Sequence, residues 1–371
     1  MEDSNIGSVC FPFIGDSVGG SHRSTTILIE ELRKTGIDSL VILHHQGPLA
    51  KYLSERNIDF EYLPLPTAST ARRIGNPLAY IISAYRIYSF VSNSSFQIVH
   101  GNDARVHNLW VLPTRLAGKL YIWHQRTKYS KSILSNSLLN LVTLVVSISN
   151  YVMESLPSKD MRDSIVVNNP LGNFTTNQSR LCRTLTTEKR ISVGFIGALN
   201  RQKRPLEFLD IAEILVSSGI DRFDFLMVGK DGDYSVAELE QIADSKGLTN
   251  RLQIVGNSEH MDHWYNVLDF VVCPAIDEGS GRVLLESMSS GVLVLASHSG
   301  GHGEVIENEK TGYLIQCGNV DLYANTLLRV MRDENLYSSI VMEAHTIVHQ
   351  CYSNRRHVSI ITKQYEKYLR K

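Results

Sequence analysis

The sequence has few cysteines, almost no net charge and no long hydrophobic run. Its five cysteines among 371 residues are scattered without a CxxC pair, which disfavours a zinc site and a disulfide framework. A formal net charge of -1 argues against nucleic acid as a partner, because polyanion binders carry a basic excess or stripe. Residues 1–5 lack the basic segment and apolar run of a signal peptide, and no apolar stretch is long enough to span a membrane. A cytoplasmic setting is expected.

What is present is the composition of a globular α/β protein, with 43% hydrophobic and 20% charged residues. The length exceeds what one hydrophobic core usually supports, which predicts two domains. Short β-branched runs alternate with helical patterns, and this alternation is typical of parallel sheets. The predicted strands are 39–44, 97–101, 120–124, 144–148, 165–167, 191–196, 223–228, 252–255, 270–273 and 292–296.

Residues 170–190 are rich in Asn, Thr and Arg and have little apolar periodicity, which predicts an interdomain linker. The predicted division is a first domain over 1–170, a linker over 171–190, a second domain over 191–350 and a C-terminal helix over 351–371. Within the second domain, Pro205 and Gly219 are placed to begin and end a helix. Ser235 and Glu238 predict a capping box at the start of another helix.

One segment carries most of the chemistry, and it runs Glu278-Gly279-Ser280-Gly281-Arg282-Val283-Leu284-Leu285-Glu286. It follows a predicted strand and opens a predicted helix that Gly291 can end. Glycines at such a helix start let a phosphate approach backbone amides and the positive end of the helix dipole. Two carboxylates, Glu278 and Glu286, could then accept hydrogen bonds from sugar hydroxyls beside the phosphate. Taken singly, each could equally be a solvated charge at a helix end.

The spacing of Glu278 and Glu286, together with Ser290-Gly291 and residues 300–306, resembles the donor-site signature of family 4 glycosyltransferases. The resemblance implies the GT-B fold. In that fold two Rossmann-like domains face each other across a cleft, and C-terminal helices cross back to the N-terminal domain. The expected reaction is the retaining transfer of a sugar from a nucleotide-sugar donor to a glycan or lipid-linked acceptor.

The resemblance also implies roles for individual residues of the second domain. Glu278 would contact the transferred sugar and Glu286 the ribose of the donor. The amides around Ser280 and Gly281 would hold the diphosphate. The neighbouring Gly279 and Arg282 are assigned to the same donor site.

Residues 195–203 form a second match, because similar enzymes use this loop to place an arginine and a lysine on the leaving diphosphate. Lys203 occupies the lysine position. Ala198 replaces the arginine that often follows the glycine, so Arg201 is assigned to that role. Fixed cations stabilise the negative charge that develops on the departing phosphate. Charged residues in loops are also common as solubilising groups.

The first domain supplies the other candidates. Residues 15–21 resemble the family's glycine-rich loop, which assigns Gly20 to the donor and Gly19 and Ser21 to the acceptor side. His124, at the end of a predicted strand, matches a histidine that faces the transferred sugar. A glycine loop alone could be a plain turn, and a histidine at a strand end is more often structural.

Asn102 and Arg126 complete the acceptor-side candidates. Asn102 follows His100 at a strand end, and it stands where the family often has a histidine. Front-face transfer, in which the leaving diphosphate accepts the proton of the acceptor, would need no carboxylate nucleophile and no cofactor. No Asp-x-Asp metal motif stands out, and the resemblance to GT-B enzymes implies no bound metal, so activity should persist in chelator.

Residues 62–153 contain a marked excess of basic over acidic residues. The basic residues are Arg72, Arg73, Arg86, Arg105, Arg115, Lys119, Arg126, Lys128 and Lys131, against a single acidic residue, Asp103. Together with the apolar run 78–91, this excess favours contact with an anionic membrane surface or a lipid diphosphate. An ordinary core helix with snorkelling arginines is the alternative. For the whole chain, the alternatives are a GT-B epimerase or phosphorylase and an inert sugar-nucleotide-binding scaffold.

Overall fold

The computed structural model describes residues 6–66, 77–130, 132–157, 163–172, 181, 183, 185, 189–258 and 260–370. The chain divides into two compact units. The first comprises Met1–Gly172 together with Asn354–Lys371, and the second comprises Asn173–Ser353. The sequence placed these boundaries at 170–191 and at 350–351. Most of the predicted linker 171–190 lies outside the described residues.

The first unit is built on a parallel sheet. Its strands are β1 Ser8–Phe13, β2 Asp38–Leu43, β3 Phe60–Tyr62, β4 Ile98–Gly101, β5 Leu120–Gln125, β6 Leu144–Ser147 and β7 Ser164–Val166. They lie in the order β3-β2-β1-β4-β5-β6-β7. Its helices up to this point in the chain are α1 Gly20–Lys34, α2 Pro48–Ser54, α3 Pro77–Ser92, α4 Ala104–Leu116, α5 Ile133–Leu139 and α6 Asn150–Glu154.

The second unit repeats this scheme with another parallel sheet. Its strands are β8 Ile191–Ile196, β9 Phe223–Val228, β10 Leu252–Ile254, β11 Phe270–Cys273, β12 Leu293–Ser297 and β13 Tyr313–Ile315, in the order β10-β9-β8-β11-β12-β13. Its helices are α7 Pro205–Ser217, α8 Val236–Ser245, α9 Met261–Val267, α10 Arg282–Ser289, α11 His302–Val305, α12 Val320–Val330 and α13 Glu334–Cys351. Apolar side chains on both faces of each sheet form the cores, as expected for strands covered by helices on both sides.

The predicted strands are all present, with ends within one residue of the predicted ones. The helix signals are confirmed as well, because α7 begins at Pro205 and Ser235 forms a capping box with Glu238. The sequence did not single out β1, β3 and β13. Strand β1 contains Pro12 between aromatic residues, and the other two are only three residues long, so none shows a clear β-branched pattern.

The last helix, α14 Asn354–Leu369, belongs to the first unit although it follows the second in sequence. It packs on α1, and Val358, Ile361 and Tyr365 join the core around β1 and β2. This confirms that the C-terminal segment crosses back, although α13 extends to Cys351 and the returning helix begins at Asn354 rather than at 351.

Candidate active site

In the second unit, two of the predicted loops meet at the carboxyl edge of the sheet. Strand β8 lies beside β11, so the loop after β8 and the loop after β11 leave the sheet next to each other. The amide of Ile276 donates to the carbonyl of Gln202 over 2.9 Å. The side chain of Gln202 donates to the carbonyl of Asp277 over 3.3 Å. The carboxyl edge of a parallel sheet is where ligands usually bind.

Lys203 and Glu278 form a buried ion pair where these loops meet, between Lys203 Nζ and Glu278 Oε1. Only 17% of each side chain is exposed. The stem of Lys203 passes Gly197, where an added Cβ would lie 3.4 Å from Lys203 Cδ. Burial disfavours the Glu278 carboxylate, but Lys203 and His302 outweigh it and lower the pKa of Glu278 to about 2. Glu278 is therefore ionised at neutral pH.

His302 is the third member of this cluster, which is defined here as the charged cluster of Lys203, Glu278 and His302. Its Nδ1 donates to the carbonyl of Ser297 over 2.9 Å, and its Nε2 lies 3.6 Å from Glu278 Oε2. Burial lowers the pKa of His302, yet the Cys273 sulfur and the Glu278 carboxylate raise it to about 10. The raised pKa favours the imidazolium form of His302, next to the Glu278 carboxylate that also pairs with the Lys203 ammonium.

Cys273, Glu278 and His302 also form a group that could hold a metal ion, because their ligand atoms lie within 4.8 Å of one another. Sulfur, imidazole nitrogen and carboxylate oxygen are ligands that zinc accepts. However, the Lys203 ammonium already pairs with this carboxylate, and a divalent cation beside it would be repelled. The cluster therefore favours a proton on His302 over a metal ion.

The turn at Gly300 and Gly301 holds the loop that carries Glu278. The Gly301 amide donates to the Glu278 carbonyl over 2.8 Å. Gly300 has a φ of +60°, and a Cβ there would lie 2.3 Å from the Glu278 carbonyl oxygen. The approach of these two backbones leaves no room for a side chain, so the glycines of the predicted segment 300–306 position Glu278.

The rest of the predicted donor loop lies at the start of α10. Gly281 precedes this helix in the left-handed region, with a φ of +67°. Ser280 is buried, and among the described residues its hydroxyl has no hydrogen-bond partner. Gly279 packs against Gly301, where an added Cβ would lie 2.3 Å from the Gly279 carbonyl oxygen.

Glu286 lies inside α10 and is held by two neighbours. Its Oε1 accepts from Arg282 Nε over 3.1 Å and from Arg282 Nη2 over 2.8 Å. Its Oε2 accepts from the Tyr265 hydroxyl over 2.8 Å. A carboxylate has about four lone-pair sites, and these three bonds leave acceptor capacity on Oε2 for one hydroxyl group. Arg282, predicted at the donor site, thus orients Glu286.

In the first unit, the carboxyl ends of β4 and β5 bring together His100, Asn102, His124 and Arg126. His100 Nε2 lies 3.0 Å from His124 Nδ1. Arg126 donates to Asn102 Oδ1 from Nε over 3.0 Å and from Nη2 over 2.9 Å. Arg126 also donates to Asn169 Oδ1 over 2.6 Å. Two predicted acceptor-side residues, Asn102 and Arg126, are therefore joined directly, and both are buried.

His124 is fully buried, and burial together with the Arg126 charge keeps its pKa well below the usual range. It is therefore neutral at physiological pH. Arg126 Nη2 donates to His124 Nδ1 over 3.3 Å. His124 Nε2 has no hydrogen-bond partner in the part of the chain that the structure describes.

The glycine loop of residues 15–21 lies between β1 and α1. Gly19 caps α1, and its amide donates to His22 Nδ1 over 3.1 Å. Gly20 and Ser21 form the first residues of α1, and the Ser21 carbonyl accepts from the Thr25 hydroxyl over 2.9 Å. Thr25 in turn accepts from Arg126 over 3.4 Å, so α1 is tied to the histidine region.

Residues 183–346 match the family model described as Glycosyl transferases group 1. Over 340 residues, which are 86% of each chain, the sequence is 23% identical to the UDP-Gal:alpha-D-GlcNAc-diphosphoundecaprenol alpha-1,3-galactosyltransferase of Escherichia coli. The matched segment makes up most of the second unit, and it is similar to group 1 glycosyltransferases. The chain is also 29% identical over 146 residues to the lipopolysaccharide core biosynthesis mannosyltransferase LpsB of Rhizobium meliloti, covering 38% of this chain and 41% of that protein.

Solved structures agree on the fold. A glycosyltransferase from Rickettsia africae superposes with a TM-score of 0.81 at 19% identity, over 98% of this chain and 99% of that one. HepE of Anabaena, solved in complex with UDP and glucose, superposes with a TM-score of 0.80 at 18% identity, over 97% and 100%. The GT-B fold expected from the sequence is confirmed.

Arg201 is one candidate residue that the structure does not bring to the charged cluster. Its side chain is exposed, and its amide donates to Asp233 Oδ2 over 2.8 Å. Within the described ranges, no ion pair joins Arg201 to the other donor-site candidates. The next arginine, Arg204, pairs with Glu207 at the start of α7.

Sequence reasoning missed several residues of these sites. Tyr265 holds Glu286 from α9, and no motif marks it because a single tyrosine in a helix is ordinary core. Asp16 in the glycine loop accepts from both terminal nitrogens of Arg105, over 2.5 and 2.8 Å, and this pair lowers the pKa of Asp16. His302 was named only as part of a motif, although its charge decides the electrostatics of the cluster.

Proposed function

We propose that this protein moves a sugar, with retention of anomeric configuration, from a nucleoside diphosphate sugar to a glycan or lipid-linked acceptor. We place the reaction in the synthesis of a cell-surface polysaccharide. The observation that carries the proposal is the charged cluster, in which the Lys203 ammonium and the His302 ring both lie beside the Glu278 carboxylate. The cluster is held beside the start of α10, where a helix dipole also favours an anion.

In this proposal Lys203 and the amides around Ser280 and Gly281 bind the diphosphate. Glu278, held between two cations, accepts hydrogen bonds from hydroxyls of the transferred sugar. Glu286 accepts from one ribose hydroxyl through the Oε2 lone pair that Arg282 and Tyr265 leave available. HepE was solved with UDP and glucose, and the Escherichia coli relative is named for UDP-Gal, so UDP-hexoses are the first donors to test.

Bond breaking is proposed to occur on one face of the sugar. The bond between the anomeric carbon and the diphosphate oxygen breaks while the acceptor oxygen bonds to the same face. The proton of the acceptor passes to the departing diphosphate. Lys203 stabilises the charge that develops on this leaving group, and His124 lies at the reacting sugar. No cofactor and no metal take part in this scheme, because the protein supplies the cations.

The acceptor side is proposed to include an anionic membrane surface, reached through α3. Ile81 and Tyr85 of α3 are 64% and 70% exposed, and Arg86 beside them is exposed as well. Apolar side chains next to cations are typical of peripheral helices. The structure reduces the predicted basic excess, because Arg105 pairs with Asp16 and Arg126 is buried. Arg72, Arg73 and Lys131 lie outside the described residues.

No helix among the described residues is long and apolar enough to cross a membrane. Sedimentation with anionic vesicles at low salt tests the surface contact. Ile81→Asp combined with Tyr85→Asp should abolish binding, whereas Leu322→Asp, at a 41% exposed apolar residue of the second unit, should leave it intact. Wild-type protein that stays in the supernatant would rule the contact out.

The proposed reaction is tested by NMR of the product formed from UDP-glucose or UDP-galactose and a polyprenyl-diphosphate sugar acceptor. An α-linked product from an α-linked donor supports retention, and a β-linked product overturns it. Donor conversion without an acceptor would indicate an epimerase. Cleavage that depends on inorganic phosphate would indicate a phosphorylase.

A further inference from the structure

Helix α14 brings a tyrosine to the buried histidines of the first unit. The Tyr365 hydroxyl lies 2.5 Å from His100 Nδ1, and His100 Nε2 lies 3.0 Å from His124 Nδ1. We infer that Tyr365, acting through His100, sets the tautomer and ring orientation of His124 and is a positioning residue for sugar transfer. The inference rests on the proposed function only in giving His124 a place at the reacting sugar.

Arg126 determines which ring nitrogen of His124 carries the proton. A guanidinium can only donate, and Arg126 Nη2 lies 3.3 Å from His124 Nδ1, so a lone pair on Nδ1 is favoured over a proton that would face this cation. The pKa of His124 is held well below its usual range by burial and by Arg126, so the ring is neutral. A neutral imidazole carries one proton, and we place that proton on Nε2.

The direction of the remaining hydrogen bonds follows from this tautomer. Because His124 Nδ1 accepts, His100 Nε2 must be the donor across their 3.0 Å contact. His100 is neutral as well, since burial holds its pKa well below the usual range. Its Nδ1 therefore accepts, and the Tyr365 hydroxyl donates to it. Each hydrogen bond is therefore donated in the direction from Tyr365 through His100 to His124, and these three side chains are called the relay below.

The relay ends at the Nε2–H group of His124, which is a hydrogen-bond donor. His124 Nε2 is buried, and it contacts no hydrogen-bond partner within the residues that the structure describes. A buried N–H group without a partner is costly, so such a group is usually kept for a ligand. Here the relay presents an N–H at a fixed place, where it can donate to an oxygen of the donor sugar or of the leaving group.

The relay also accounts for the return of the C-terminal helix to the first unit. The buried face of α14 includes His357, Val358, Ile361, Tyr365 and Tyr368. The apolar members join the core around β1 and β2, which anchors the helix. Anchored in this way, Tyr365 reaches a histidine that is 265 residues away in sequence.

The experiment compares two tyrosines of the same helix. Tyr365→Phe removes the hydroxyl that donates to His100, and the expected loss is about tenfold in kcat with less than a twofold change in KM for the donor. Tyr368→Phe removes a hydroxyl outside the relay and should leave both constants unchanged. Thermal unfolding and circular dichroism confirm that both variants are folded.

His100 offers a rescue that a purely structural role would not show. The side-chain amide of glutamine can accept from Tyr365 through its oxygen and donate to His124 through its nitrogen, so His100→Gln should keep kcat within about threefold of wild type. His100→Leu has neither function and should lose at least tenfold. Equal activity of the two variants would overturn the relay.

Nitrogen-15 NMR of the histidine rings reads the tautomer directly in the free enzyme. The wild type should show the His124 proton on Nε2, and Tyr365→Phe should show a mixture of tautomers. An unchanged spectrum together with an unchanged kcat in Tyr365→Phe would overturn the inference. An unchanged kcat in His124→Ala, with the tautomer shift still present in Tyr365→Phe, would instead refute the role of His124 in the proposed function.

Discussion

Two buried histidines of this protein, His302 and His124, lie at the carboxyl edges of similar parallel sheets and have opposite charge states. His302 shares its site with Glu278 and Cys273, and its pKa is raised to about 10. His124 lies against Arg126 and His100, and its pKa is held well below the usual range. Burial penalises the charged form in both, so the neighbouring groups decide the outcome. The second unit thus favours a charged histidine at this edge, whereas the first keeps a neutral one.

The largest effect that can test this contrast is acid destabilisation of the first unit. His100, His107, His124 and His357 are all buried there with lowered pKa values, about 3 for His107 and His357. Their unfolded forms take up protons as the pH falls below the ordinary histidine pKa of about 6.5, while the folded forms do not. Stability should then fall by about 1.4 kcal/mol per pH unit for each histidine.

Hydrogen exchange read by mass spectrometry between pH 7 and 5 measures this prediction. Peptides from β4, β5 and α14 should lose protection before peptides from β8 and β11. The reverse order, or loss of protection in both units at the same pH, would contradict the assignment of neutral histidines to the first unit.

The next largest effect is a loss of catalytic rate. Lys203→Met keeps much of the apolar stem but removes the cation that stabilises the leaving diphosphate, so kcat should fall by about 10²–10³-fold. Donor affinity should fall far less, because the charge on the phosphate grows in the transition state. Arg201→Met, at the exposed arginine outside the cluster, is the matched control and should cost less than about threefold. Steady-state kinetics of both variants measure these changes. Equal losses of kcat in Lys203→Met and Arg201→Met would contradict a special role for Lys203.

A glycine substitution with an effect of intermediate size tests how tightly the turn at Gly300 packs against the loop that carries Glu278. Gly300→Ala places a Cβ against the Glu278 carbonyl oxygen, and it should destabilise the second unit by about 2–3 kcal/mol. Gly219→Ala is the control, because Gly219 has a φ of +79° but open space around its Cβ. It should cost about 1 kcal/mol from conformation alone. Urea unfolding of both variants measures the difference, and equal costs would mean that the contact with Glu278 is not tight.

The smallest effect, when it is counted for each pH unit, is alkaline and comes from one histidine. His302 has a raised pKa, so its stabilising contribution is complete below pH 6.5 and is lost as the pH rises through about 10. The slope should be about 1.4 kcal/mol per pH unit in that window. In His302→Asn the slope between pH 7 and 9 should disappear, which urea unfolding at each pH can establish. A slope that persists in the variant would assign it to another group.

The sequence predicted the α/β fold because strand and helix periodicity is a local property, and its strand limits were accurate to one residue. The sequence also predicted Lys203 and Glu278 as site residues from two strand–loop–helix segments, and the structure brings these two side chains together in an ion pair. It could not show that His302 is charged, because that charge depends on Cys273 and Glu278 approaching it in space. The sequence could not reveal the contact of Tyr365 for the same reason, because its partner His100 is 265 residues away in sequence.

Arg201 is a residue that the sequence predicted at the donor site but that the structure does not bring to the charged cluster. Sequence position suggested a cation three residues after Ala198, but the turn after β8 points this arginine to an exposed surface near Asp233. Its role at the diphosphate stays a prediction that the Lys203 comparison can test. Chelator provides an independent check, because a cluster that already holds Lys203 and His302 as cations should keep full activity in EDTA.

The most direct test of the central claim is thermal unfolding with UDP, GDP, ADP and CMP for the wild type and for Glu286→Ala. We expect one nucleoside diphosphate to stabilise the wild type, by about 2.7 kcal/mol at a concentration of 100 times its dissociation constant, and the variant to lose this gain. Equal stabilisation of both proteins would contradict the placement of the ribose at Glu286. No stabilisation by any nucleotide would contradict the charged cluster as a donor site.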